Sequence, residues 1–237
     1  MSESLNVEEI FLTAMGRIGA VKPSELAEEV NGTKNADFVL EADNVVGEIK
    51  CLMEDPRDHK QFNETYLKMY MQWVADGRVP APKSEKIKIN TADLPPDCAH
   101  EFLRRISRRV KKDVTSGNRQ IRDLKGRLNM HSANGLLVLC NTGNAFLQPD
   151  VILYELHHAL SDRHTSINWL LYFTCGLPIQ RQGQQPAEIF AFAQREGYDN
   201  IPAALATRIK NAWLDCIACT QVERPNDHSI LFDAKHE

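Results

Sequence analysis

No stretch of this 237-residue chain is apolar for long enough to span a bilayer, and none is repetitive or low in complexity. That excludes a membrane-spanning helix, and with it repeat and fibrous architectures. The N-terminus, MSESLNVEEI, lacks the basic-then-apolar order of a secretory signal, so a cytoplasmic protein is expected. Basic residues are not in excess: 28 Lys and Arg stand against 32 Asp and Glu, a formal charge of -4. The overall balance therefore does not announce an anion-binding protein, and any such surface must be local. Cysteine is sparse, with six residues at 51, 98, 140, 175, 216 and 219, mostly inside apolar runs, as expected of reduced, buried thiols. Cys216 and Cys219 have zinc-like spacing but no second Cys or His pair at a suitable distance, which favours two core positions of a terminal helix.

At 43% hydrophobic the chain can build one good core, and one domain with additions is expected. Its most informative stretch is NADFVLEADNVVGEIKCL, residues 35–52. Two runs rich in Val, Ile, Leu and Phe flank Asp43 and Asn44, which is a hairpin signal. A two-residue loop at Asp43 and Asn44, or a four-residue loop from Ala42 to Val45, places Val39 opposite Glu48 and Asp37 opposite Lys50. Side chains alternate with period two, so Glu48 and Lys50 share a face and Asp37 joins them from the neighbouring strand. Two carboxylates and an ammonium on one half-buried face are costly unless paired or metal-bound. Hard carboxylate oxygens suit Mg²⁺ (or Mn²⁺), which meets a substrate through phosphate oxygens. A lysine beside such an ion can orient or help deprotonate a water that attacks phosphorus. The competing reading is a cross-strand Asp-Lys pair on a solvated face.

At these residues the chain resembles the PD-(D/E)XK nuclease superfamily, which has the restriction-endonuclease-like fold. The pattern here reads Ala36-Asp37, ten intervening residues, then Glu48-Ile49-Lys50, with Ala36 where the family has proline. The later GNRQIRDLKGRL and GLLVLCN also look like members of that superfamily. The resemblance implies Asp37 and Glu48 as metal ligands with the Ile49 carbonyl, and Lys50 as the residue that positions the water. It also implies a glutamate from a preceding helix, for which Glu9 and Glu28 are the candidates. DNA is favoured over RNA on this ground alone.

Residues 6–18 read as a helix with Asn6 as cap, and Pro23 opens a short helix from Ser24 to Val30. A helix from His59 to Ala75 repeats Phe62, Tyr66, Tyr70 and Trp73, usually a core stripe but also a stacking platform for bases. KIKIN, residues 86–90, suggests a short edge strand. Asp97 is the expected cap of a long helix from Cys98 to about Met130, kinked at Ser116-Gly117. Between Glu101 and Met130 lie ten Lys or Arg and three acids. Arg104, Arg105, Arg108, Lys112, Arg119 and Lys125 are the candidate contacts to double-stranded DNA, since such a concentration is the footprint of phosphate-backbone binding. A solvated face or an acidic protein partner would use the same charges. By the family pattern Gln120 and Lys125 also reach the active face, and Gln120 is a candidate catalytic residue. GLLVLCN is apolar on both faces and reads as a central parallel strand, followed by a helix from Pro149 and a second buried strand within residues 166–175. One of His157 and His158 should face the core.

This order predicts an α/β protein, a three-layer restriction-endonuclease-like core with a mixed central sheet flanked by helices. Residues 1–180 would form the nuclease-like core. After a polar linker, residues 181–237 would add two helices, PAEIFAFAQREG and IPAALATRIKNAWLDCIACT, packed on the sheet or on a second copy in a homodimer. The expected function is a Mg²⁺-dependent nuclease. The alternative is a catalytically inactive module on the same fold that binds nucleic acid or protein.

Overall fold

The computed structural model describes residues 6–26, 35–82, 93–162, 164–177 and 187–220. The fold starts from the predicted hairpin, β1 (Phe38–Leu40) and β2 (Val45–Leu52), joined by a 3₁₀ turn over Glu41–Asp43. Asn44 closes the turn with φ at 53°, a left-handed conformation that Asn tolerates better than most residues. The register pairs Phe38 with Gly47, Val39 with Val46 and Leu40 with Val45, two residues away from the expected one. Gly47 explains the choice, because any Cβ there would lie 2.0 Å from the Phe38 ring that covers it. In this register Asp37 stands level with Glu48 rather than Lys50. A shift of two leaves every side chain on its original face, so the three residues still converge.

β2 pairs in parallel with β3 (Asn134–Asn141), and β3 with β4 (Trp169–Thr174). β5 (Phe190–Gln194) closes the far edge antiparallel to β4. The five strands thus lie in chain order in one mixed sheet. GLLVLCN is its buried centre, as its two apolar faces require. β5 corrects the helix expected for PAEIFAFAQREG. Phe190 and Phe192 alternate with Ala191 and Ala193, and Ala and Phe serve either structure, so the exposed edge of β4 decides.

Helices cover both faces of the sheet. On one, α1 (Val7–Arg17) and α7 (Ala203–Thr220) pack on Phe38, Ile49, Val138 and Phe173 through Phe11, Met15, Ile209 and Trp213. On the other, α5 (Arg108–Arg127) and α6 (Pro149–Asp162) bury Val110, Val114, Ile121, Ile152 and Leu156 against Val39, Val46, Leu137 and Leu139. Residues 190–194 and 203–220 therefore belong to the same sheet and core as the chain before residue 180. α7 spends its apolar face within the chain. A short α2 (Pro23–Leu26) precedes β1, and α3 (Lys60–Ala75) with α4 (Pro96–Ile106) forms a satellite cluster around Trp73, Cys98 and Phe102.

The long basic helix is two helices. It breaks at Ser107, between α4 and α5, and not at Ser116-Gly117. Gly117 lies inside α5, and a Cβ there would come within 2.7 Å of Leu137 and 3.6 Å of the Glu48 side chain. This glycine therefore permits close approach rather than a bend. Pro95 occupies the N-cap position of α4 and Asp97 its first turn, bonded to Arg78 at 2.6 Å. His157 and His158 are both exposed. Glu28, the KIKIN strand, the polar linker and the tail from Val222 lie outside the described residues. Among those described, no helix is long and apolar enough to cross a membrane.

Candidate active site on the hairpin

Alternation along β2 turns Val45, Ile49 and Cys51 toward α1, and Val46, Glu48, Lys50 and Leu52 toward α5. Glu48 is thereby carried into the interior, with 1% of its surface exposed, and its Oε2 has no hydrogen-bond partner among the described residues. Its Oε1 accepts from the Lys50 ammonium. Burial, and after it the neighbouring Asp37 charge, push the Glu48 carboxyl up to about 9, against the pull of Lys50. Asp37 is raised by burial too, although the Ile49 N–H donates to its Oδ2 at 2.8 Å and holds it back. A strand residue directs its N–H and C=O to the same side, so the Ile49 carbonyl faces the edge where β1 has already ended.

α5 closes the site from above. Lys50 Nζ donates to Gln120 Oε1 at 3.0 Å, and the Ser116 hydroxyl donates to the same oxygen at 2.9 Å. Gln120 Nε2 in turn donates to the Asn35 carbonyl at 2.9 Å, and Arg127 donates to the Asn35 side chain. The strand entry carrying Asp37 is thus strapped to the helix that orients Lys50. Asp113, 6% exposed, is bonded to Arg109 at 2.9 Å, and Lys50 is among the charges acting on it. Burial raises its carboxyl and Arg109 opposes the rise.

The structure brings together Asp37, Glu48, Lys50 and Gln120, and of the two acids in the first turn of α1 the one within their field is Glu8 rather than Glu9. Glu8 is raised by partial burial and by the Asp37 charge, with Lys50 opposing. Glu9 instead closes its own helix start, where its N–H donates to Asn6 Oδ1 at 3.3 Å and Asn6 Nδ2 donates to its carboxylate at 3.2 Å. Sequence reasoning missed Ser116, Asn35 and Asp113. Gly117 was the one signal for them, since a glycine inside a helical stripe marks a place where something comes close.

Lys125 is another correction. It is 8% exposed and donates to the Ser166 carbonyl at 3.0 Å, so it cannot serve the basic surface. Burial drives its ammonium down to about 8. The surface that remains consists of Arg104, Arg108, Lys112 and Arg119, all exposed and without an ion pair among the described residues. Lys111 is engaged with Glu155 of α6 at 2.8 Å, and Arg105 with Glu101 at 3.4 Å.

The donor set bears on the metal expected here. Among the described residues no three or more His, Cys, Asp and Glu are gathered closely enough to hold an ion. A Mg²⁺ that keeps several waters needs one or two carboxylates, and the unpartnered Glu48 Oε2 beside Asp37 meets that smaller requirement. No family model, curated protein or solved structure matches the chain. What the site does must therefore be argued from its chemistry.

Proposed function

We propose that the protein is a divalent-metal-dependent nuclease of the PD-(D/E)XK type, cytoplasmic and acting on DNA in preference to RNA. The observation that carries this reading is the buried Glu48, whose second oxygen meets no donor among the described residues apart from the neighbouring Asp37 carboxyl, with which it can share a proton. A core built for stability gains nothing from two adjacent acids pushed toward protonation. A site that exchanges a proton for a cation does, because metal binding needs the carboxylates ionised and releases protons. Asp37, Glu48 and the Ile49 carbonyl would hold Mg²⁺ or Mn²⁺, and the ion would supply charge stabilisation at phosphorus and a more acidic water. Lys50 would orient the attacking water, and Gln120, which accepts from its ammonium, holds Lys50 in place. Incubating supercoiled plasmid with the protein and Mg²⁺ is expected to give nicked or linear product, and EDTA to abolish it. Plasmid and single-stranded DNA that both stay intact with Mg²⁺ would overturn the reading. Whether one or both strands are cut reports whether a single copy or a homodimer acts.

A second reading, a catalytically inactive nucleic-acid or protein-binding module, draws on the unpaired basic surface. Arg108, Lys112 and Arg119 recur four and seven residues apart on one side of α5, the spacing of a single helix face. Changing Arg104, Lys112 and Arg119 together to Ala is expected to weaken duplex binding alike for all sequences. The slope of log K against log salt should fall by about 0.9 for each phosphate that is no longer neutralised. A salt titration with unchanged slope would show that this face does not hold the phosphate backbone.

A further inference from the structure

Past Lys50 the floor of the sheet opens into a cleft of about 380 Å³, which lies between α3, the start of α5 and the end of β2. Such a site at the carboxyl ends of parallel strands is where open α/β sheets commonly bind ligands. Cys51 and Leu52 form its floor, Phe62 and Tyr66 one wall, and Arg105 and Arg108 the other. The rings are held in place: Phe62 lies 4.1 Å from Tyr66 and 5.2 Å from Phe146 between centroids. Both guanidiniums line the cleft together with Tyr66 and act on its phenol. Arg108 has no ion pair among the described residues. Glu54, the carboxylate on the rim, is engaged with His59 at 3.0 Å.

The cleft adjoins the acidic site along β2: Leu52 on its floor lies two residues past Lys50 on the same face of the strand, about 7 Å away. Arg109 lines the cleft and bonds Asp113, one turn further along α5, and Asp113 is in turn within the field of Lys50.

We propose that this cleft holds a single unpaired nucleotide next to the scissile phosphodiester, its base against Phe62 and Tyr66 and its phosphate on Arg108. The inference deepens the nuclease reading and rests on it for the position of the cut. Stacking decides the substrate class: a base inside a duplex has both faces covered by its neighbours, so only an unpaired base can lie against Phe62 and Tyr66, in a cleft of about 380 Å³. Aromatic walls recognise any base by its face and leave sequence unread. The preferred substrate is thus DNA with an unpaired segment, such as a flap, overhang or single strand, and not a continuous duplex.

The test is binding in EDTA, which needs no catalysis, with a fluorescein-labelled single-stranded 12-mer (an arbitrary length of ~12 nucleotides, about one OB-fold-sized site) and the blunt duplex of the same sequence. The single strand is expected to bind about tenfold tighter. Phe62→Leu should remove that preference and leave duplex affinity as it was, and Arg108→Ala should lower single-strand affinity and reduce its salt slope by about 0.7. Equal binding of the two probes by the wild type, or full single-strand affinity in both variants, overturns the proposal. If Phe62→Leu fails to fold, a single strand carrying 2-aminopurine decides on the wild type: quenching of its fluorescence on binding supports a base stacked in the cleft, and unchanged fluorescence overturns it. A protein that cuts plasmid but fails here loses only the cleft, and one that passes but never cuts loses only the metal chemistry.

Discussion

The Glu48→Gln protein is expected to show no detectable cleavage of any DNA and yet to be more stable than the wild type at pH 8. Loss of activity follows from removing the buried carboxylate that would face the metal, while Gln keeps an oxygen for Lys50 and nearly the same volume. The stability gain follows from the raised carboxyl. In the unfolded chain Glu48 ionises near its usual value of 4.5, whereas in the folded protein it holds its proton up to about 9. Its favourable contribution is therefore complete below about pH 4.5 and is lost as pH rises toward 9. Gln makes no such trade, so the advantage of the variant should grow by up to about 1.4 kcal/mol per pH unit across that window. Thermal unfolding at several pH values, alongside single-turnover cleavage, checks both halves. A variant that is less stable than the wild type at pH 8 would make Glu48 a structural partner of Lys50, and one that still nicks plasmid would remove it from the chemistry. The same proton links to metal: affinity for Mn²⁺ should rise with pH through this range, because each ion bound must displace it.

Lys50→Met should lower the single-turnover rate by about 10² to 10⁴, the range of a lost proton-transfer or water-orienting group. Metal binding should survive or strengthen at pH 9, since a competing cation has left the Glu48 carboxylate that it contacts in the structure. Met retains most of the aliphatic stem, so the packing under α5 is kept. Gln120 loses its 3.0 Å partner but remains tied to Asn35 and Ser116. Calorimetric Mn²⁺ titration and thermal unfolding on the same preparation separate mechanism from structure. A lowered melting temperature with a normal rate per folded molecule and an unchanged titration would leave Lys50 as nothing more than a counter-ion for the acids.

The sequence by itself determined which side chains share a face. Period-two alternation puts Glu48 and Lys50 together whatever the register, and a displacement of two residues in the hairpin left Asp37 with them. The helical spacing of Val110, Val114, Ile121 and Leu124 likewise determined which side of α5 is buried, and a strand apolar on both faces had to be central. Tertiary structure decided what local pattern leaves degenerate. Glu8 and Glu9 are equivalent in a first helical turn, and only the docking of α1 brings Glu8 within the field of Asp37 and Lys50 while Glu9 bonds Asn6. Lys125 looks like one more base on a basic helix until the Ser166 carbonyl, 41 residues away, takes its ammonium. FAFAQ becomes a strand because β4 offers it an edge, and the basic run divides at Ser107 because α4 packs with α3 and α5 with the sheet. Each of these depends on a surface supplied by residues distant in sequence, and a pattern read within one segment carries no information about it.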